Sequence, residues 1–230
     1  MRVRGWTVVH CDAAGLEAPQ EPTLAWVRTG VGPEAARRAA LALPPVPIDA
    51  AILAGYAGGL QPGLAPGTLV VADPLLDAGD HIVPTPLAEA LAETARGAGL
   101  ACVRGALVTL GRVFEAPSEK AWIHAAHGAI AVDMESAVLA AVLSERGVPA
   151  AAARVVLDAA EEAVPASAGA VLRRPGLLVA GLRIAGRLRR CSAISARLLE
   201  AWLERGTGGP QGHGGRDGGH DAETQEARRR

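Results

Sequence analysis

Between residues 23 and 205, short apolar runs of strand length alternate with longer alanine-rich stretches of helical length. That alternation predicts an α/β fold built on a mostly parallel sheet. Strands are predicted at 23–29, 50–54, 68–72, 102–109, 129–132 and 151–157, and helices at 33–41, 86–98, 117–126 and 134–146. The last helix is the most fully punctuated: Asp133 stands at its cap, Arg146 in its final turn, and Gly147 with Pro149 beyond its end. After Val171 the pattern is helical through 177–190 and 192–204, with Arg183, Arg187, Arg189 and Arg190 marking a basic side. From Gly206 the sequence GTGGPQGHGGRDGGHDAETQEARRR has almost nothing apolar to bury and reads as a disordered tail, where His213 and His220 stand isolated among glycines. The expected organisation is a single domain over 1–205, with a divergent or shortened start at 1–22, followed by a tail at 206–230.

Half of the 230 residues are hydrophobic, enough for one sizeable core. The formal net charge of −1 supplies no basic field of the kind that neutralises a phosphate backbone, which turns the reading from nucleic acid towards small molecules. Cys11, Cys102 and Cys191 lack the CxxC spacing of a zinc site or redox pair, which fits a reducing, cytoplasmic setting. Arg2, Arg4 and His10 are not followed by a continuous apolar run, so no secretory signal is visible. The stretch 39–72 carries only Asp49 as a charge, but Pro44, Pro45, Pro47, Pro62 and Pro66 break it too often for a membrane span.

In an open parallel sheet, ligands bind beyond the carboxyl ends of the strands. Four segments fall there. Arg28-Thr29-Gly30-Val31-Gly32-Pro33 is a glycine turn leading into a helix; its amides suit an anion or hydroxyls, and a tight structural turn explains it equally. The segment 54–60, AGYAGGL, has the small residues of a loop that lets a ligand lie against bare backbone, or of a packing bend. Glu135, after Asp133 and Met134, can accept two hydrogen bonds from vicinal hydroxyls, or can complement the dipole of the following helix. Asp158, at the end of a buried-looking strand, is placed to donate a proton or to cap the next helix. Asp133 is assigned to capping alone.

Together, in this order and spacing, AGYAGGLQPGLAPGTLVVAD (54–73) and AIAVDMESAVLAAVLSERGVPAAAARVVLDAAEEAVP (129–165) resemble the nucleoside phosphorylase and nucleosidase superfamily. That superfamily includes purine nucleoside phosphorylase and methylthioadenosine/adenosylhomocysteine nucleosidase. The resemblance implies a three-layer fold with a central mixed, mostly parallel sheet flanked by helices, and cleavage of a base from its sugar. It implies that Glu135 binds the ribose hydroxyls, that Met134 packs against the sugar, and that Asp158 protonates or hydrogen-bonds the purine imidazole nitrogen. Ala57 and Gly58 line the pocket by backbone in that reading, the amides of Gly30 and Gly32 face the substrate, and Val113 or Phe114 lies beside the base. Aspartate at 158, where relatives restricted to oxopurines tend to carry asparagine, implies adenine-type bases.

Within the superfamily, Asp133-Met134-Glu135-Ser136 and the run VLRRPGLLVAGLRIAGRLRRC (171–191) look most like hopanoid-associated phosphorylases, which are implicated in removing adenine from adenosylhopane. The helix at 177–190 arranges Leu, Val and Ile among arginines as an interfacial helix does, and equally as an amphipathic helix docked on a sheet. The resemblance also implies a homo-oligomer and no metal or organic cofactor, with phosphate as a candidate co-substrate. Two departures stand out. Residues 1–22 do not match the family's first strand and ligand loop, with only Val8-Val9-His10, as a remnant strand, and Glu17 loosely placed; attack by phosphate would need cationic ligands such as Arg28 or Arg112, and hydrolysis a base near the anomeric carbon. Leu157 stands where the family often places a serine.

Overall fold

The computed structural model describes residues 2–3, 6–11, 23–164 and 176–207. Its strands are β1 (Arg2–Val3), β2 (Trp6–Cys11), β3 (Thr23–Val27), β4 (Ala51–Gly59), β5 (Leu69–Leu76), β6 (Ile82–Val83), β7 (Cys102–Thr109), β8 (Ala131–Asp133) and β9 (Ala150–Asp158). Its helices are α1 (Pro33–Ala42), α2 (Ala88–Gly97), α3 (Pro117–His127), α4 (Ser136–Glu145) and α5 (Gly176–Thr207).

Strands β5 and β9 lack a polar face because both of their faces are covered. In β5, Leu69 and Val71 pack with Leu91 and Ala95 of α2 and with Cys191 and Leu198 of α5. Val70 and Ala72 point the other way, against Leu107, Ala131, Ala152 and Ala137 of α4. Period-two alternation along a strand sends successive side chains to opposite faces, so an uninterrupted apolar run marks a strand buried on both sides. Each buried leucine or valine contributes roughly 1.5–3 kcal/mol relative to exposure.

The larger sheet runs β6-β5-β7-β8-β4-β9, and β9 also pairs with β5, so five strands close into a ring with β6 attached outside. Parallel pairings join β5 to β7, β7 to β8 and β4 to β9, while β4–β8, β5–β9 and β5–β6 are antiparallel. The sheet is therefore mixed, as the resemblance implied, and its longest ladders, β4–β9 and β5–β7, are parallel. The ring is completed through the antiparallel β5–β9 seam, with Leu69 opposite Val155 and Val71 opposite Ala153.

Helices cover the curled sheet from two directions. On one side α2 presents Ala88, Leu91, Ala92 and Ala95 at helical spacing, and α5 presents Cys191 and Leu198. On the other, Ala36 and Ala40 of α1 lie against Leu139 and Val142 of α4. The Arg146 guanidinium closes the α4 end by donating to the carbonyls of Ala40, Leu43 and Pro44 at 3.3, 2.8 and 2.5 Å, which fixes the end of α1.

Two sequence expectations change. The segment 54–60, expected as a loop, is the second half of β4 through Gly59, and its small residues serve a strand crossed closely by neighbouring side chains. The helices at 177–190 and 192–204 are one helix of 32 residues, because Cys191 is a buried core position of that helix and not a break, and it continues through Gly206 and Thr207. Val8-Val9-His10 lies within β2, which pairs in parallel with β3 in a separate three-stranded sheet. Glu17 and residues 208–230, including His213 and His220, lie outside the described residues. Among those described, no helix is long and apolar enough to cross a membrane.

Candidate functional site

The floor of the site is a buried polar network. Asp133, 4 % exposed at the end of β8, accepts the Thr109 hydroxyl at 2.7 Å and the Ser136 amide at 3.1 Å, and pairs with Nε of Arg154 at 2.8 Å. Thr109 in turn accepts the Ala137 amide at 2.9 Å, and Arg154 Nε also donates to Ser136 Oγ at 2.8 Å. The capping role read for Asp133 is present, since its carboxylate takes the first amide of α4. The ion pair explains why it tolerates burial. Gly55 makes room for the arginine: a Cβ there would lie 1.8 Å from Arg154 Nη1.

Above this floor the chain bends through Met134 and Glu135 before α4 begins, so Glu135 projects at the helix mouth. Its Oε1 accepts the Gly32 amide at 2.7 Å, which ties the glycine turn to the β8–α4 junction across the sheet. Gly30 and Gly32 hold φ of 82° and 88°, a region that favours glycine, and a Cβ on Gly30 would come within 2.9 Å of Ala35 Cβ. The turn is thus structurally demanded and also supplies an amide to the site. Oε2 of Glu135 makes no hydrogen bond among the described residues, leaving an acceptor on a half-buried carboxylate.

Asp158 ends β9 with only 8 % of its surface exposed. Its Oδ2 receives Nζ of Lys120 at 2.5 Å, and the same ammonium donates to the carbonyls of Ala159 and Glu162, each at 2.8 Å. Burial pushes the Asp158 carboxyl above the ordinary carboxylate range; Lys120 opposes that shift without cancelling it. Glu162 folds back to accept the Ala159 amide at 3.0 Å and is gripped by both Arg187 terminal nitrogens, at 2.6 and 2.8 Å, which holds its carboxyl down to about 2. Gly58 lies under the acid, where a Cβ would sit 3.3 Å from Asp158 Oδ2.

These groups share one cavity of about 1320 Å³. Glu135, Met134 and Asp158 line it, as do Ala57, Gly58 and Gly30. Val113 and Phe114 form another part of its wall, Val113 40 % exposed and Phe114 buried. Gly32 is not on the wall and contributes through its bond to Glu135. Of the two arginines considered for phosphate, Arg112 lines the cavity, paired with Glu119 at 2.9 Å and stacked 4.1 Å over the Phe114 ring, whereas Arg28 does not.

Sequence reasoning missed Lys120, Arg154 and the Glu162–Arg187 clamp. A signal for the first was present: Lys120 is the only lysine among 23 lysines and arginines, on a helix bearing little other charge. Nothing in local spacing pointed to Arg154, because its partners lie on β8 and α4. Among the described residues, no three His, Cys, Asp or Glu side chains converge as a metal site would require.

The sequence belongs to the phosphorylase superfamily, which it matches over residues 4–182. Solved structures of similar fold include futalosine hydrolase of Helicobacter pylori strain 26695, with 20% identity, TM-score 0.61 and 82% of each chain covered. A putative methylthioadenosine nucleosidase from Weissella paramesenteroides has 21% identity and TM-score 0.62, with 80% of this chain and 81% of that one covered. The S-adenosylhomocysteine nucleosidase of Streptococcus pyogenes, bound to 5-methylthiotubericidin, has 16% identity and TM-score 0.62, over 87% of this chain and 96% of that one. At these identities the likeness establishes the fold. No functionally curated protein matches the sequence.

Proposed function

We propose that the protein cleaves the N-glycosidic bond of an adenine-containing nucleoside, with Asp158 as general acid and Glu135 as the anchor for the ribose hydroxyls. The observation that carries this reading is the placement, on the wall of one cavity, of a buried carboxyl shifted upwards by desolvation and of a carboxylate with an open acceptor. As the bond breaks, the leaving base gathers negative charge and the sugar becomes cationic. A carboxyl whose affinity for its proton is raised by burial is a suitable donor to the base's imidazole nitrogen. A carboxylate accepting from both ribose hydroxyls fixes the sugar and lies near the developing positive charge. Met134 packs against the sugar in this reading, while Val113 and Phe114 flank the base. Similarity in fold to nucleosidases supports the reaction class.

Away from the acid, the cavity wall is apolar, with Leu43, Ile48, Ile52, Ile184, Leu199 and Trp202. That wall supports a substrate whose sugar bears an apolar group, such as adenosylhopane. Exposed Val179, Leu182 and Leu188 beside Arg183, Arg189 and Arg190 on α5 support peripheral contact with an anionic membrane, which flotation with anionic liposomes detects and which equal flotation with and without anionic lipid would remove.

The test is free adenine released by the purified protein from a panel of adenine nucleosides, including adenosylhopane in detergent, with and without phosphate. Release that requires phosphate identifies a phosphorylase, and release without it a nucleosidase. Binding of nucleosides without any release would overturn the enzymatic reading in favour of a nucleoside-binding protein.

A further inference from the structure

The chain's single lysine is also one of its most completely buried side chains, 1 % exposed. Every other cationic side chain of the Lys and Arg class is arginine, so the position asks for what arginine lacks. An ammonium offers three tetrahedrally arranged donors, whereas a guanidinium offers a planar fork. Here the three donors meet three acceptors: Asp158 Oδ2 at 2.5 Å, Ala159 O at 2.8 Å and Glu162 O at 2.8 Å. No donor remains for a substrate, although Lys120 borders the cavity. Its action must therefore pass through Asp158 and the turn that follows it.

We propose that Lys120 is a positioning residue for the acid: it holds Asp158 by Oδ2, presents Oδ1 to the base, and neutralises the carboxylate left after proton transfer. The proposal rests on the general-acid role assigned to Asp158 above. In the step, the Asp158 carboxyl gives its proton to the leaving base as the carbon–nitrogen bond breaks, the base takes the bonding pair, and the nucleophile, phosphate or water, bonds to the sugar carbon. The carboxylate that remains faces an ammonium already in place, so its charge is compensated without rearrangement. Oδ1 makes no hydrogen bond among the described residues.

Every element around the acid fits this assignment. Lys120 faces it from α3. The turn after β9 contributes Glu162, whose negative charge is taken up by Arg187 from α5, and Arg187 Nη1 also donates to Leu157 O at 3.2 Å. On the remaining side, β4 offers Gly58, and its one titratable residue, Tyr56, has its hydroxyl bonded to Ser192 of α5 at 2.7 Å. Lys120 is thus the one cation bonded directly to the acid among the described residues, and the Glu162–Arg187 pair anchors the turn whose carbonyls complete its cage.

The test compares Lys120→Met, which keeps a long unbranched side chain without the charge, with the wild type and with Asp158→Asn. Lys120→Met is expected to lower kcat for adenine release by about 10- to 100-fold, part of what a general acid supplies, with KM little changed. Its alkaline limb should move up by about one pH unit or more, because an opposite charge this close stabilises the ionised form. In an Asp158→Asn background the same substitution should have almost no further effect on kcat. An unshifted pH profile, or a full additional loss in the Asp158→Asn background, would overturn the assignment and leave Lys120 as packing only. A readout independent of turnover covers a variant that folds poorly or a wild type that releases no adenine. With one lysine in the chain, 15N-lysine labelling gives a single Nζ signal, which should shift clearly in Asp158→Asn; an unchanged signal refutes the contact even where the enzymatic reading has failed on its own.

Discussion

Gly55→Ala tests the buried floor of the site most sharply, because a single methyl group meets an arginine that Asp133 and Ser136 hold in place. The added Cβ would stand 1.8 Å from Arg154 Nη1 and 3.1 Å from Cζ. A surface arginine would swing aside at little cost, but Arg154 is 5 % exposed and its Nε is bound to Asp133 and Ser136. The guanidinium is planar, so moving Nη1 by the required distance tilts the whole group and breaks the bonds at Nε. Asp133 would keep Thr109 and the Ser136 amide but lose its counter-charge in a buried position, a loss of about 3–5 kcal/mol. For a domain of this length each kcal/mol moves Tm by about 2–4 °C, so Tm should fall by about 6–20 °C. Calorimetry or circular dichroism measures this. The double variant Gly55→Ala/Arg154→Met should melt no lower than Arg154→Met, since the clash is then gone. A Gly55→Ala protein melting within about 2 °C of wild type would refute the reasoning.

Three further outcomes follow from the same geometry. Glu135→Gln should raise KM for nucleosides by about 10- to 100-fold while the fold is retained, because hydrogen bonds to a charged acceptor contribute about 1.5–3 kcal/mol; steady-state kinetics with a melting control reads it. Glu162, held down to about 2 from an ordinary 4.5, contributes stability that is present above pH 4.5 and lost as pH falls towards 2, so Glu162→Gln should flatten the decline of Tm across that window. Asp158 has the opposite sign: its raised carboxyl contributes stability at low pH that is lost as pH rises through its folded value, so the decline of Tm with rising pH should be shallower in Asp158→Asn than in wild type.

The elements were legible where patterning is local. β7 has the predicted bounds of 102–109, and α1 and α3 begin at Pro33 and Pro117, where proline fixes the first helical residue. Ring closure was not legible, because the β5–β9 seam joins residues more than eighty positions apart and leaves no periodic trace. The small residues of β4 misled for a physical reason: Gly55 and Gly58 signal close approach, but by the side chains of Arg154 and Asp158 crossing a strand. The candidate residues were found mainly through strand ends and family wording, and the structure gathers Glu135, Asp158, Met134, Ala57, Gly58, Gly30, Val113 and Phe114 around one cavity. What tunes them, Lys120 and Arg187, comes from α3 and α5, which only the tertiary fold brings alongside β9.

The central claim is that Asp158 delivers the proton that releases the base. Turnover of the preferred adenine nucleoside by Asp158→Asn, measured beside its equilibrium binding of a non-cleaved analogue, tests that claim most directly. The account predicts that kcat falls by about 100- to 10,000-fold while the binding constant changes by less than about tenfold. Equal turnover in a folded Asp158→Asn protein would contradict it.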